Sequence, residues 1–316
     1  MSKARFLVVC LNPVIQNSLV FEKLVKGEVN RTAKRRTDAS GKGVNVARVL
    51  GQIGCTATEL GQLGGPSRDW FLSMCKSDGL CVRWVESNSE IRICTTVIDA
   101  DDASATELVE EAKPVGEGTS DRLLAAFEEE LESCDMVIIS GTKAAGFPSD
   151  TIPRMARLAR ERGKKLVLDI KGADLAASLP FRPLVVKPNL EELLQTYAPD
   201  KAEALRRGAG GAIAGLGDGA LRDFISSIAD EYWGKYSTIL VVTRGTKPTL
   251  YWDGQGLRER QGEVVRALNP IGSGDSFTAG LAAILADGGL IGEAVAEGSR
   301  LGALNALQLK PGSIVS

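Results

Sequence analysis

The sequence predicts an α/β fold: a doubly wound, mainly parallel sheet with helices on both faces, carrying a small second β-sheet. Three observations predict it. The apolar runs at 5–11, 136–140 and 165–170 are continuous rather than alternating, as in strands buried on both faces. A helical pattern over 150–162 separates two of them, which calls for a right-handed crossover and parallel pairing. Two segments, 16–37 and 88–113, break the alternation and read as short strands with no helix between them.

The first strand is Arg5–Leu11. Residues 18–25 and 29–37 alternate and carry charge, and read as strands less deeply buried. A helix is expected from about Val44 to Ile53, with Val46, Val49, Leu50 and Ile53 at helical spacing. Strands are expected near 56–61, 91–99, 106–112, 135–140, 165–170, 183–187 and 238–242, and helices over 119–132, 150–162 and 189–196. A further helix begins at Asp275, with Phe277, Leu281 and Ile284 on one face. The whole of 1–316 reads as one domain whose second sheet is discontinuous, from about 16–37 and 88–113. An uncovered sheet is a liability, so a ligand, a partner subunit or both is expected against it. The glycine-dense stretch 208–219 follows a charged helical pattern rather than a strand, so it reads as a surface loop and not a dinucleotide fingerprint.

Composition removes several function classes. The net charge of −2 comes with no basic stripe, which argues against nucleic-acid binding and leaves acidic substrates to be held by local groups. The opening MSKARFLVVCLNPV turns polar too soon for a signal peptide, and no run approaches the roughly 18 apolar residues of a membrane span. Six scattered cysteines without a CxxC pair read as buried reduced thiols and a cytoplasmic setting. The chain has no histidine, which excludes Ser-His-Asp and Cys-His triads and HExxH zinc sites. Acid–base chemistry must therefore run on Asp, Glu, Lys, Tyr or Cys.

The strongest local signal is Asn269-Pro270-Ile271-Gly272-Ser273-Gly274-Asp275 at the start of that helix. A helix start presents unpaired N–H groups that stabilise an anion, and glycines let the backbone approach it. Asp275 has two readings there: an N-terminal cap, or a base that accepts a hydroxyl proton while the neighbouring amides hold a phosphoryl group. A second glycine turn, Ser40-Gly41-Lys42-Gly43-Val44-Asn45, also opens a helix. It is not a Walker A loop, because position 36 is Arg36 and no Ser or Thr follows Lys42. Lys42 suits a phosphate or simply faces solvent, and Asn45 suits sugar hydroxyls. Asn189 and Glu192 after Lys187, and Thr243 to Gly245, follow apolar strands. All these clusters fall beyond the carboxyl ends of strands, where open α/β sheets bind ligands.

Together these motifs resemble the ribokinase/PfkB carbohydrate kinase family over essentially the whole chain. Leu11-Asn12-Pro13, Val29-Asn30-Arg31 and the Gly-Lys-Gly turn are similar to the branch holding 1-phosphofructokinase and tagatose-6-phosphate kinase. The resemblance implies a ribokinase-like fold with a β lid, and ATP-dependent, magnesium-dependent phosphorylation of a sugar-phosphate hydroxyl. It implies that Asp275 is the base and that Gly272, Ser273 and Gly274 form the anion hole. Asn189 and Glu192 would organise metal and phosphate, Glu192 indirectly. Thr243, Gly245 and Asn305 would line the nucleotide pocket. Gln16, Arg31, Gly41, Lys42, Asn45, Arg92 and Ser140 would hold the sugar phosphate. Arg31 matches a lid residue that in some relatives reaches a neighbouring subunit, which implies a homodimer through the lid.

Two departures stand out. Gln16 occupies the position where the family places an aspartate for sugar hydroxyls, and Lys143-Ala144-Ala145 replace a proline-containing turn. Lys143 reads as exposed or as an extra phosphate contact. Three other readings remain open: a kinase of an unphosphorylated sugar or nucleoside on this fold, a catalytically weak sugar-phosphate sensor, and, resting on the glycine loop alone, a nicotinamide-dependent enzyme.

Overall fold

The first apolar run pairs on both sides, as a doubly buried strand must. In the computed structural model, which describes residues 4–206 and 218–315, β1 (Arg5–Cys10) opens the chain. There follow β2 (Val14–Phe21), β3 (Lys34–Ser40), α1 (Lys42–Gln52), β4 (Thr56–Leu63), α2 (Arg68–Ser77) and β5 (Cys81–Glu86). Next come β6 (Arg92–Asp99), β7 (Ser104–Val109), α3 (Thr119–Leu131), β8 (Met136–Ser140), α4 (Thr151–Glu161) and β9 (Lys165–Asp169). Then α5 (Gly172–Ser178), β10 (Val185–Val186), α6 (Leu190–Tyr197), α7 (Pro199–Arg206) and α8 (Asp218–Tyr236). The chain closes with β11 (Ile239–Arg244), β12 (Lys247–Trp252), β13 (Leu257–Arg260), α9 (Ser273–Ala286) and α10 (Ile291–Ala306).

The main sheet has nine strands in the order β13-β12-β11-β10-β9-β8-β1-β4-β5. Pairing is parallel from β11 to β5 and antiparallel only at the β11–β12–β13 edge. Helices cover both faces. Leu123 and Phe127 of α3, Met155 of α4 and Ile225 of α8 pack in one core with Val9 and Ile139, while Val46 and Leu50 of α1, Leu281 of α9 and Val295 of α10 pack with Phe6 and Ile138 in the other. Successive residues of β1 and β8 thus feed opposite cores, which is why those runs are apolar without a break.

A separate four-stranded sheet has the order β3-β2-β6-β7. Its strands differ in bounds from the expected 18–25 and 29–37. The intervening residues instead form a loop closed by Asn30, whose side chain accepts from Val25 N–H and donates to Val25 C=O, both at 2.8 Å. Helices α2, α5, α8 and α10 and strands β5, β12 and β13 were not read from the sequence. Helix α2 buries only Phe71 and Cys75, too narrow an apolar face to stand out in the sequence. Of the glycine-dense 208–219, Asp218 and Gly219 open α8, and the rest lies outside the described residues.

Candidate active site

Four main-sheet strands end in or lead directly to polar residues at one edge: Ser140 on β8, Asp169 on β9, Lys187 just beyond β10, and Thr243 on β11. The second sheet faces that edge. Val14 pairs with Ser40 and Arg92, and Gln16 with Asp38 and Cys94, so these side chains share one face of the sheet. Between edge and sheet lies a cleft of about 450 Å³ lined by residues from both.

Helix α1 enters the cleft at its N-terminus. Gly41 has φ 120°, and a Cβ there would lie 2.8 Å from Cys10 Sγ, so only glycine lets the turn sit on the end of β1. Lys42 then reaches across the cleft: its Nζ lies 2.8 Å from Glu192 Oε1 and 3.5 Å from Asp169 Oδ1. Burial alone would lower this ammonium, but Asp169, Glu192 and Asp275 outweigh it and hold Lys42 above its ordinary range. The solvent-facing reading of Lys42 is replaced by a cation held among three carboxylates.

Asp275 sits in the first turn of α9, 6% exposed, and its Oδ2 accepts from Asn45 Nδ2 at 2.8 Å. Burial raises its pKa to about 6; Lys42, the Asn45 bond and Lys187 hold it down, while Asp169 pushes it up. Gly272, at φ 87°, caps α9, and a Cβ there would lie 2.3 Å from Gly312 N. In this first turn Ser273 N–H bonds Pro270 C=O and Ser276 N–H bonds Gly272 C=O. Among the described residues, the N–H groups of Gly274 and Asp275 donate to no protein group. Two unpaired amides beside a buried carboxylate can hold an anion next to a proton acceptor.

Asn189 and Glu192 form a capping box on α6: Asn189 Oδ1 accepts from Glu192 N–H at 2.8 Å, and Glu192 Oε2 from Asn189 N–H at 2.9 Å. Among the described residues no three acidic, histidine or cysteine groups gather into a metal cage. Glu192 and Asn189, which line the cleft, offer a carboxylate and an amide oxygen that could steady a hydrated cation.

Twelve of the residues picked from the sequence line this one cleft: Gln16, Gly41, Lys42, Asn45, Arg92, Ser140, Asn189, Glu192, Thr243, Gly272, Gly274 and Asp275. Four do not. Ser273 and Asn305 stand behind the α9 turn, where Asn305 Nδ2 donates to Ile271 C=O at 2.9 Å and to Ser273 Oγ at 3.1 Å. Gly245 lies in the turn between β11 and β12, and Arg31 is exposed in the loop before β3. Lys143 is neither exposed nor a cleft residue: it pairs with Asp174. Gln16 is buried, and its Nε2 donates to Thr96 Oγ1 at 2.9 Å and Asn17 C=O at 3.1 Å. The side-chain amide that replaces the expected aspartate is therefore already engaged within the second sheet.

Sequence reasoning missed Asp169. It is fully buried, between Lys187 Nζ at 3.4 Å and Lys42 Nζ at 3.5 Å, and its Oδ2 accepts from Ser140 Oγ and Thr278 Oγ1, each at 3.1 Å. Burial would raise this carboxyl, but the two lysines and two hydroxyls hold it below the ordinary range. An aspartate closing an apolar parallel strand was the available signal.

A family described as pfkB family carbohydrate kinase matches residues 7–315. Among solved structures, phosphofructokinase-2 from Escherichia coli in complex with potassium is 20% identical, with a TM-score of 0.78 and coverage of 98% of this chain and 94% of that one. The same enzyme in complex with fructose-6-phosphate gives 20%, a TM-score of 0.75, and coverage of 97% and 93%. A Thermotoga maritima protein described as a possible 1-phosphofructokinase is 21% identical, with a TM-score of 0.80 and coverage of 96% and 91%. At such identities the structural likeness speaks to the fold.

Proposed function

The chain belongs to the pfkB family of carbohydrate kinases, and from that premise we propose that it phosphorylates a hydroxyl of a sugar phosphate with ATP. The observation that carries this reading is the buried carboxylate of Asp275 beside the unpaired amides of Gly274 and Asp275, in a cleft that also holds Lys42 and Arg92. The sugar hydroxyl gives its proton to Asp275 as its oxygen attacks the γ-phosphoryl, and the α9 amides stabilise the charge on the group in transfer. Glu192 and Asn189 would steady magnesium bound with the nucleotide, and that ion would supply charge neutralisation on the phosphates. Thr243, on the β11 side of the cleft, lines the nucleotide end.

The phosphate already on the sugar is met by Arg92 and Lys42. Arg92 Nη1 donates to Glu110 C=O at 3.3 Å, but among the described residues its buried Nε has no hydrogen-bond partner, so an incoming anion would satisfy it. With a panel of hexose phosphates and ATP, ADP release should appear only with magnesium. Arg92→Ala and Lys42→Met should each raise the sugar-phosphate KM by about tenfold or more, with the ATP KM much less affected. An unchanged sugar KM in both variants would point instead to an unphosphorylated substrate. Running Gln16→Asp on the same panel reads what the engaged amide does to sugar choice.

The second sheet is proposed as the lid over this cleft and as the contact of a homodimer, placing Arg31 toward the partner's site. Ile93 and Leu108 stand 36% and 57% exposed on the face of that sheet opposite Gln16. Light scattering should give twice the chain mass, and Leu108→Lys should shift the protein toward the monomer. A monomeric wild type at micromolar concentration would remove the proposal. Six cysteines that form no disulfide among the described residues, five of them buried, support a reducing, cytoplasmic setting. No helix among the described residues is long and apolar enough to cross a membrane.

A further inference from the structure

Arg48 is among the largest fully enclosed side chains in the protein, 2% exposed, and it has no place in the reaction as described. A buried guanidinium is costly unless all its donors are used. Here Nε donates to Asp78 Oδ2 at 2.9 Å, Nη2 to Ala39 C=O, and Nη1 both to Pro311 C=O and to Asn45 Oδ1, each at 3.0 Å. The last contact leads to the reacting centre, because Asn45 Nδ2 donates to Asp275 Oδ2 at 2.8 Å.

An asparagine amide can present either end to a neighbour, and a carboxyl that gains a proton can bond either end, so Asp275 by itself does not hold the amide one way in both of its protonation states. Ser40 Oγ, 3.0 Å from Asn45 Oδ1, can donate or accept and decides nothing. Arg48 has no acceptor, so it can face only the oxygen of the amide. With the amide turned over, an NH₂ group would meet the guanidinium and a carbonyl oxygen would meet the Asp275 carboxylate; both contacts would be repulsive. Asn45 cannot swing aside either, because a Cβ on Gly312 would lie 2.3 Å from Asn45 Cβ, so the two backbones are already in close contact. Rotation of the amide is the freedom left, and Arg48 removes it.

We infer that Arg48 is a positioning residue, which fixes the Asn45 amide so that it donates to Asp275 and holds that carboxylate ionised and aimed at the attacking hydroxyl. The inference rests on the reading of Asp275 as the base. The other charged groups facing Asp275 are Lys42 on α1, Asp169 at the end of β9 and Lys187 after β10. None of them contacts the Asn45 amide. The same guanidinium holds Ala39 on β3 and Pro311 in the C-terminal segment, so the base is referenced to the second sheet and the chain end together.

Arg48→Lys keeps the charge but lacks the fork that reaches Asn45, Pro311 and Ala39 at once. It should lower kcat by about tenfold, leave the ATP KM within about twofold, and move the acidic limb of kcat/KM upward by roughly half to one pH unit, since a lost donor disfavours the ionised form. Asp78→Asn is the control for a purely structural role: it weakens the far side of Arg48, should lower Tm, and should leave the acidic limb unmoved. A carbon-13 carboxyl titration of Asp275, assigned through Asp275→Asn, reads the same upward shift without any substrate. It therefore separates failure of this inference from failure of the substrate assignment. An Arg48→Lys protein that folds with the wild-type kcat, acidic limb and Asp275 titration would overturn the inference, as would Asp78→Asn and Arg48→Lys moving the limb equally.

Discussion

Asp275→Asn is expected to lower kcat by about 10³-fold or more while ATP affinity stays within about twofold. Asparagine fills the same volume and can still bond Asn45, so the site keeps its shape and loses only the proton acceptor. The wild-type pH profile should carry the same signature. Burial, the largest influence, pushes Asp275 up to about 6. A base works deprotonated, so kcat/KM should rise as pH increases through about 6 and level off above it. A folded Asp275→Asn enzyme with near-normal turnover, or a wild-type profile flat from pH 5 to 8, would remove Asp275 from that role.

Asp169→Ala is expected to cost about 3–5 kcal/mol of folding stability, the usual consequence of leaving a buried charge without its partner. Lys187 is 2% exposed and lies 3.4 Å from Asp169 Oδ1; without that carboxylate the ammonium has lost its ion-pair partner inside the protein. The Ser140 hydroxyl loses its acceptor at the same time, while Thr278 Oγ1 keeps the Gly274 C=O at 2.9 Å. Asp169→Asn keeps an acceptor for one neighbour and a donor for another, so it should cost less in stability and still impair turnover by leaving Lys42 less firmly placed. Urea denaturation of the three proteins checks the order. A loss below about 1 kcal/mol for the alanine variant would show that the lysines do not depend on Asp169.

Both predictions concern one sheet edge, but the two aspartates differ in how far they could be read from sequence. Asp275 stands in a short string of glycines before a helix, so its position at a helix start was readable from local pattern alone. Asp169 closes a five-residue strand that looks like any other buried strand. Its importance comes from Lys42, Lys187, Ser140 and Thr278, the nearest 18 and the farthest 127 residues away in the chain. Arg48 was invisible for the same reason: it sits on a regular amphipathic helix, and its partners Pro311 and Asp78 lie 263 and 30 residues away.

What the sequence determined by itself was the layered α/β architecture, the edge where polar groups gather, and the two glycine turns that open α1 and α9. These follow from local rules, since strand burial, helix periodicity and glycine conformations are written in neighbouring residues. The tertiary structure alone decided how those groups are paired. It placed Lys42 among three carboxylates, turned Asn45 toward Asp275 through Arg48, and engaged the Gln16 amide within the second sheet. It also showed Asn305 behind the α9 turn rather than in the cleft. Such pairings depend on distances between segments far apart in the chain. Hydrogen bonds and ion pairs act only over a few ångströms, so they are fixed only once the sheet has brought those segments together.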